Sequence, residues 1–294
     1  MTSLALVTVC YNSNGPLFNL AKRVNLQTIK PSIWILVDNS PISHPVLKPD
    51  TSFPTAILSG NEGDGFGKGC NAGLEYLQER HFSGWIWLLN PDTSLNSYNH
   101  IKNLLGKLNT LNTETLLGTA IEDEYLQLEP SAGWICQGLG YRQSQINQKD
   151  LSHETCRSFE VDWVSGCNLL FHPSSFYKPL RFDPYFPLYF EDIDFCLRAK
   201  SQGGKCIWIN SLKIEHQKST GSKCPSLRRE RLKTISQIRF LCRYQPWWVA
   251  FAHTVRIIFL ALVRLPVQFD ANLGVLCGAF QTLRGNRINS ATRR

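Results

Sequence analysis

The sequence predicts an α/β fold, a mostly parallel sheet flanked by helices, followed by a basic helical appendage. Three observations predict it. Residues 4–10, 17–27 and 32–37 read strand, helix, strand within forty residues, the pattern of a right-handed crossover between parallel strands. The run Trp85-Ile86-Trp87-Leu88-Leu89 is apolar at five consecutive positions, as a strand covered on both faces requires. From residue 226 onward, arginines alternate with apolar residues at helical spacing.

Composition sets the bounds. With 294 residues, 43% hydrophobic and 18% charged, the chain is globular and long enough for one large domain with a smaller addition, drawn here as residues 1–225 and 226–294. The net charge of +8 lies largely after Lys213, where arginines interleave with Trp, Phe, Ile and Leu. That mixture suits a membrane surface better than a phosphate groove, so no nucleic acid is expected as a partner. Ten cysteines include no C-x-x-C pair and read as reduced, mostly buried thiols of a cytoplasmic protein. The first ten residues read as a strand rather than a secretory leader. No uncharged apolar run of about 18 residues is present, so membrane attachment is expected to be peripheral.

Along the chain, Leu4–Cys10 is apolar and β-branched, an inner strand that ends in the polar loop Tyr11-Asn12-Ser13. Residues 17–27 follow with amphipathic helical spacing, and residues 32–37 form a strand ending in Asp38-Asn39-Ser40-Pro41. Asp38 then stands at the carboxyl edge of the sheet, where it can accept hydrogen bonds from a sugar hydroxyl or a base N–H, or simply cap a turn.

A third strand at residues 55–58 feeds a segment with six glycines in fourteen residues, 60–73, which opens a helix over residues 69–79. A backbone so poor in Cβ atoms can approach a ligand closely, and the helix start can face an anion. It is no Walker loop, since no Gly-Lys-Ser/Thr ends it, and the G-x-G-x-x-G register fails; a dinucleotide-binding dehydrogenase is disfavoured. A nucleotidyltransferase would carry a basic glycine-rich loop after the first strand, where Tyr11-Asn12-Ser13-Asn14 stands instead.

The strand 85–89 stops at Asn90-Pro91-Asp92, because Pro91 cannot donate to a ladder. Asp92 is thereby left at the sheet rim. A helix is predicted over residues 99–108, a weaker strand at 116–118, and a polar excursion over 122–157. Small residues Ser165-Gly166-Cys167 interrupt an apolar strand. The aromatic loop from Phe182 then ends in Glu191, Asp192 and Asp194, acids of a first helical turn whose ionised form the helix dipole favours. A carboxylate beside an aromatic-lined pocket is suited to take a proton. A last short strand, 206–209, precedes His216.

In this order, Val7-Thr8-Val9-Cys10-Tyr11-Asn12, Val37-Asp38-Asn39-Ser40, residues 61–73, Leu88-Leu89-Asn90-Pro91-Asp92, Ser165-Gly166-Cys167 and Phe190-Glu191-Asp192-Ile193-Asp194 resemble glycosyltransferase family 2, and within it bacterial rhamnosyltransferase-like enzymes of surface-polysaccharide synthesis. The resemblance covers about residues 3–220. It implies a GT-A fold and an inverting transfer of a sugar, such as rhamnose from dTDP-rhamnose, to a glycan or lipid-linked acceptor. It puts Asp38, Tyr11 and Asn12 on the nucleoside, and Asn61, Gly67, Asn71 and Asn90 beside the nucleotide. It makes Asp92 and His216 ligands of Mg²⁺ or Mn²⁺, and Asp192 the catalytic base with Glu191 next to it. Asn90 departs from the pattern: many members carry an Asp there, and an amide oxygen is a weaker ligand. The competing reading is a non-catalytic, membrane-associated scaffold with a decayed nucleotide-sugar site.

After residue 226, residues 227–241 read as a basic helix with an apolar stripe and residues 247–265 as an apolar one. On the second, His253, Arg256 and Arg264 share a side, as suits a helix lying in a membrane interface.

Overall fold

The computed structural model describes residues 2–136, 138, 142–146, 158–217 and 226–291. Its elements run β1 (Leu4–Cys10), α1 (Asn14–Asn25), β2 (Ile33–Asp38), β3 (Thr55–Ser59), α2 (Phe66–Glu79), β4 (Trp85–Leu89), β5 (Thr93–Leu95), α3 (His100–Leu108), β6 (Thr115–Glu122), β7 (Ala132–Cys136), β8 (Arg142–Gln145), β9 (Ser158–Val161), β10 (Trp163–Val164), β11 (Asn168–Phe171), α4 (Glu191–Lys200), β12 (Lys205–His216), α5 (Leu227–Tyr244), α6 (Trp247–Arg264) and α7 (Phe269–Ala291). Two compact units result. The first comprises Met1–Trp134, Gln143–Phe182 and Phe195–Lys218; the second comprises Ile135–Arg142, Asp183–Asp194 and Ser219–Arg294. The second therefore takes in the acidic segment before residue 195 as well as the C-terminal helices. The boundary expected at residue 225, and residues 147–157 of the polar excursion, lie outside the described residues.

The first unit is organised by one sheet in the order β3-β2-β1-β4-β11-β6-β12-β5, with β9 also paired to β12. Strands β3, β2, β1, β4, β6 and β12 share one direction, whereas β11, β5 and β9 run against it. The expected mostly parallel sheet is thus observed. A smaller sheet has the order β10-β7-β8. From β1 the chain winds outward through β2 and β3, then returns with β4 on the other side of β1. The order reverses there, and the crevice beyond the carboxyl ends of β1 and β4 is where open α/β sheets place ligands.

Burial explains why β4 is central: all five of its residues are covered. Trp34, Trp87 and Trp208 are fully buried, and each indole N–H finds a partner, Thr8 Oγ1 at 3.0 Å, Asn168 Oδ1 at 2.8 Å and Ser131 Oγ at 3.0 Å. Burying one such side chain contributes about 1.5–3 kcal/mol, provided its polar atom is paired. Cysteines follow the expected thiol pattern in part. Among the described residues none is in a disulfide, and Cys10, Cys70, Cys196 and Cys206 are buried while Cys242 and Cys277 are exposed.

Several elements depart from the expected bounds. Helix α1 starts at Asn14 and α2 at Phe66, each three residues earlier than the apolar spacing indicates. Strand β12 runs twelve residues to His216 rather than ending at Ile209, through an irregularity between Ile209 and Ile214 where Leu212 is left-handed.

In the second unit α5, α6 and α7 pack together. The close approach of α7 to α5 depends on two glycines: a Cβ on Gly274 would lie 2.5 Å from the Leu227 carbonyl oxygen, and one on Gly278 2.5 Å from that of Arg231. Helix α6 is long and apolar enough, by length and composition, to cross a bilayer, although Arg256 and Arg264 leave it without an uncharged run of that length. Trp247 (81% exposed), Phe251 (65%), Val255, Phe259 (62%), Leu262 and Val263 form its open apolar side.

Candidate active site

Register places the first pair of site residues. β5 begins directly after Asp92 and pairs antiparallel with the end of β12, so that Thr93 faces His216. The Gln217 N–H then donates to the Asp92 carbonyl oxygen at 2.8 Å. Asp92 and His216, 124 positions apart in sequence, are brought together: Nε2 lies 3.3 Å from Asp92 Oδ1.

A third residue joins them that the sequence reading did not single out. The Glu129 N–H donates to the Ile121 carbonyl at 2.8 Å, which turns the chain after β6 back beside β12. Glu129 Oε2 lies 3.0 Å from His216 Nδ1. Burial alone would disfavour the imidazolium, yet the flanking Asp92 and Glu129 carboxylates prevail and raise the His216 pKa to about 9.

This arrangement fits a divalent cation. Asp92 Oδ1 is buried with the His216 ring as its ionic neighbour, and the carboxylate on Nδ1 is the orienting contact that metal-bound histidines make. With the proton on Nδ1, the Nε2 lone pair would face Asp92 Oδ1, an unfavourable meeting unless a cation stands there. Proton and metal thus compete for one place. Among the described residues no three His, Cys, Asp or Glu side chains are arranged to hold a metal ion together. Asp92 and His216 would supply two protein ligands, a number suited to hard ions that complete their shell with diphosphate oxygens and water.

The nucleoside-side residues are placed as follows. Asp38 ends β2, which is separated in the sheet from β4, the strand leading to Asp92, by β1. Both of its oxygens are engaged: Oδ1 accepts from the Ser40 N–H at 2.9 Å and Oδ2 from the Val46 N–H at 2.7 Å. Asp38 therefore shapes the 39–46 loop, with only its remaining lone pairs open to a ligand. Tyr11 is exposed. Asn12 is left-handed, its N–H held by Ser40 Oγ at 3.0 Å. The backbone of Asn90 bonds to Cys167 and Thr93, which fixes the turn before Asp92.

The glycine-rich segment has packing roles of its own. A Cβ on Gly67 would lie 2.8 Å from Phe182 Cβ, on Gly69 2.6 Å from Val9 Cγ1, and on Gly73 2.6 Å from Val7 Cγ1. These positions seat α2 against β1 and Phe182, so packing accounts for them without a ligand. Asn71 likewise exchanges hydrogen bonds with the Phe182 backbone at 2.8 and 2.7 Å instead of turning its amide to a nucleotide. Asn61 donates to Asp64 at 3.1 Å and holds the loop. Buried Asn39 ties that loop to the end of β2 by donating to the Asp64 carbonyl at 2.9 Å.

The acids at the start of α4 belong to the second unit. Glu191 is buried, and burial followed by the Asp192 charge raises its carboxyl to about 8. It holds a proton at neutral pH. Asp192 Oδ1 accepts from the Ile193 N–H at 2.9 Å. Asp194 is fully buried and accepts from Arg243 at 2.8 Å and the Tyr244 hydroxyl at 2.7 Å. Directly before them, Tyr189 (φ 61°) and Phe190 (φ 66°) are both left-handed. For aromatic residues that conformation costs about 1–3 kcal/mol each and persists only where the surroundings enforce it.

No family model matches the chain. A curated relative, the rhamnosyltransferase WbbL of Escherichia coli (strain K12), is 25% identical over 190 residues, 61% of this chain and 70% of that protein. The structure of GalNAc-T7 with UDP, GalNAc and Mn²⁺ is similar in fold at 12% identity, with a TM-score of 0.57 over 89% of this chain and 51% of that one. This chain spans about half the length of that structure. The sheet order and this structural likeness give the chain a GT-A fold, and its sequence is similar to that of a rhamnosyltransferase.

Proposed function

We propose that the protein is an inverting glycosyltransferase that moves rhamnose from dTDP-rhamnose to a hydroxyl of a glycan or lipid-linked acceptor in surface-polysaccharide synthesis. The observation that carries the reading is the series Glu129–His216–Asp92 beyond the carboxyl end of β4. Its relationship to a rhamnosyltransferase supports the donor.

In this reading the acceptor oxygen attacks the anomeric carbon, the bond from that carbon to the diphosphate oxygen breaks, and Asp192 takes the hydroxyl proton. Asp92 and His216 would hold a divalent ion, Mg²⁺ or Mn²⁺, which neutralises charge on the departing diphosphate. Glu129 keeps the His216 ring in place. Exposed Tyr11 offers a flat face to the nucleobase, and Asp38 braces the loop beside it.

The membrane setting is part of the proposal and narrows to α6. Its open apolar side, with Trp247 and Trp248 at one end and Arg256 and Arg264 also exposed, suits a helix lying in an anionic membrane surface. The α5 arginines are less available than the sequence indicates, because Arg229, Arg239 and Arg243 bond within the second unit. The reading includes a cytoplasmic, peripheral location on the inner face of the membrane. Flotation with anionic vesicles should carry the protein, and Phe251→Glu with Phe259→Glu should leave it at the bottom.

Calorimetric titration with a panel of nucleotide sugars, with and without Mn²⁺, tests the enzymatic reading. dTDP-rhamnose should bind in the presence of metal, and dTDP should be released on adding acceptor. If no nucleotide sugar binds or turns over, the non-catalytic scaffold is the better account.

A further inference from the structure

The segment Asp183–Asp194 is gripped from one side of α5 along its whole length. Arg229 Nε donates to the Tyr189 hydroxyl at 3.1 Å, and the Leu188 N–H donates to buried Ser236 Oγ at 3.3 Å. Arg239 donates to the Tyr185 carbonyl at 2.6 Å, and its guanidinium lies 4.6 Å from the centre of that ring. Phe190 packs on Phe240 at 5.1 Å between ring centres. Arg243 bonds both Asp183, at 2.7 Å, and Asp194, at 2.8 Å, while the Tyr244 hydroxyl shares Asp194. Positions 229, 236, 240 and 243 fall on one helical face by their spacing.

These contacts meet the chain where its own preferences oppose its conformation. Two successive aromatic residues do not adopt positive φ unaided. The Phe190 carbonyl nevertheless accepts from the Asp194 N–H at 2.9 Å, so the left-handed pair supplies the first acceptor of α4. Whatever holds Tyr189 and Phe190 therefore fixes the direction of the helical turn that carries Glu191 and Asp192.

We propose that α5 is a positioning element for sugar transfer: Ser236, Phe240, Arg243 and Tyr244 hold residues 188–194 in the strained form that aims Asp192. This rests on the reading of Asp192 as the base. The four residues touch neither donor nor acceptor in this scheme and act through the segment they hold.

Tyr244→Phe removes one hydroxyl from Asp194, and Arg243→Met removes the link between Asp183 and Asp194. Transfer kcat should fall a few-fold in the first and about tenfold to a hundredfold in the second, as small misplacements of a catalytic group do. Donor KM should stay within about twofold, and Arg243→Lys should recover part of the loss. Amide exchange should rise at residues 188–194 while β1 and β4 keep their protection. Wild-type kcat with unchanged exchange in both variants would overturn the proposal, as would protection lost evenly across the sheet. Should the wild type transfer no sugar while exchange at 188–194 still responds, the fault lies in the enzymatic reading and the grip of α5 stands.

Discussion

His216 stands between two carboxylates, its Nε2 3.3 Å from Asp92 Oδ1 and its Nδ1 3.0 Å from Glu129 Oε2. Each carboxylate has a different task. In the proposed reading Asp92 would share a divalent cation with His216, and Glu129 would set which ring nitrogen faces it.

Glu129→Gln keeps the size of the side chain and removes its charge. Affinity for Mn²⁺ in the presence of dTDP should fall by about 10- to 100-fold, the usual effect of losing a residue behind a metal ligand. Asp92→Ala should weaken it further. Calorimetry reads both, and an unchanged affinity in Glu129→Gln would remove that residue from the site.

Asp192→Asn should lower transfer kcat by about 10²- to 10⁴-fold, the range for loss of a general base. Donor binding should persist, since Asp38, Asp92 and His216 are untouched. Near-normal turnover in this variant would mean that another group takes the proton.

Stability should decline as pH rises across two windows. Glu191 has a folded pKa of about 8 against 4.5 for the free group, so its contribution is complete below 4.5 and is lost as pH rises toward and through 8. His216, at about 9 against 6.5, contributes fully below 6.5 and loses its share as pH passes 9. In each window the native state binds the extra proton, which gives stability a negative slope against pH. Glu191→Gln should remove the lower window: relative to wild type its melting temperature should improve steadily from pH 4.5 to 8. A constant difference across that range would contradict the assignment.

Gly73→Ala would drive a methyl group to 2.6 Å from Val7 Cγ1. Destabilisation of about 1–3 kcal/mol is expected from such overpacking. Val7→Ala in the same chain should cost less than the two single changes added together, because the smaller neighbour makes room. Chemical denaturation of the four proteins closes that cycle.

What the sequence revealed was mostly what neighbouring residues decide among themselves. β1 and β4 are continuous apolar runs, and Pro91 marks where β4 must stop, so their bounds were readable to the residue. Asp92 was readable for the same reason. Glu129 was not, because its place depends on the return of the chain along Ile121 and on the pairing of β6 with β12, neither of which has a local signal. The α5 arginines looked like a surface charge pattern; only the fold shows Arg243 turned to Asp183 and Asp194. Helix α7 escaped notice because it meets α5 through Gly274 and Gly278 rather than through an apolar stripe.

Asn71 and Phe182 trade two hydrogen bonds across 111 positions. A side-chain amide used this way imitates one rung of a β-ladder, and both strands of the exchange must break together. Helix α2 consequently cannot creep along its axis or unwind from its first turn without releasing the distant chain at Phe182. The Asn71 amide thus ties α2 to the chain at Phe182, and Asn71→Asp, by turning donor into acceptor against the Phe182 carbonyl, is the smallest change that would loosen that tie.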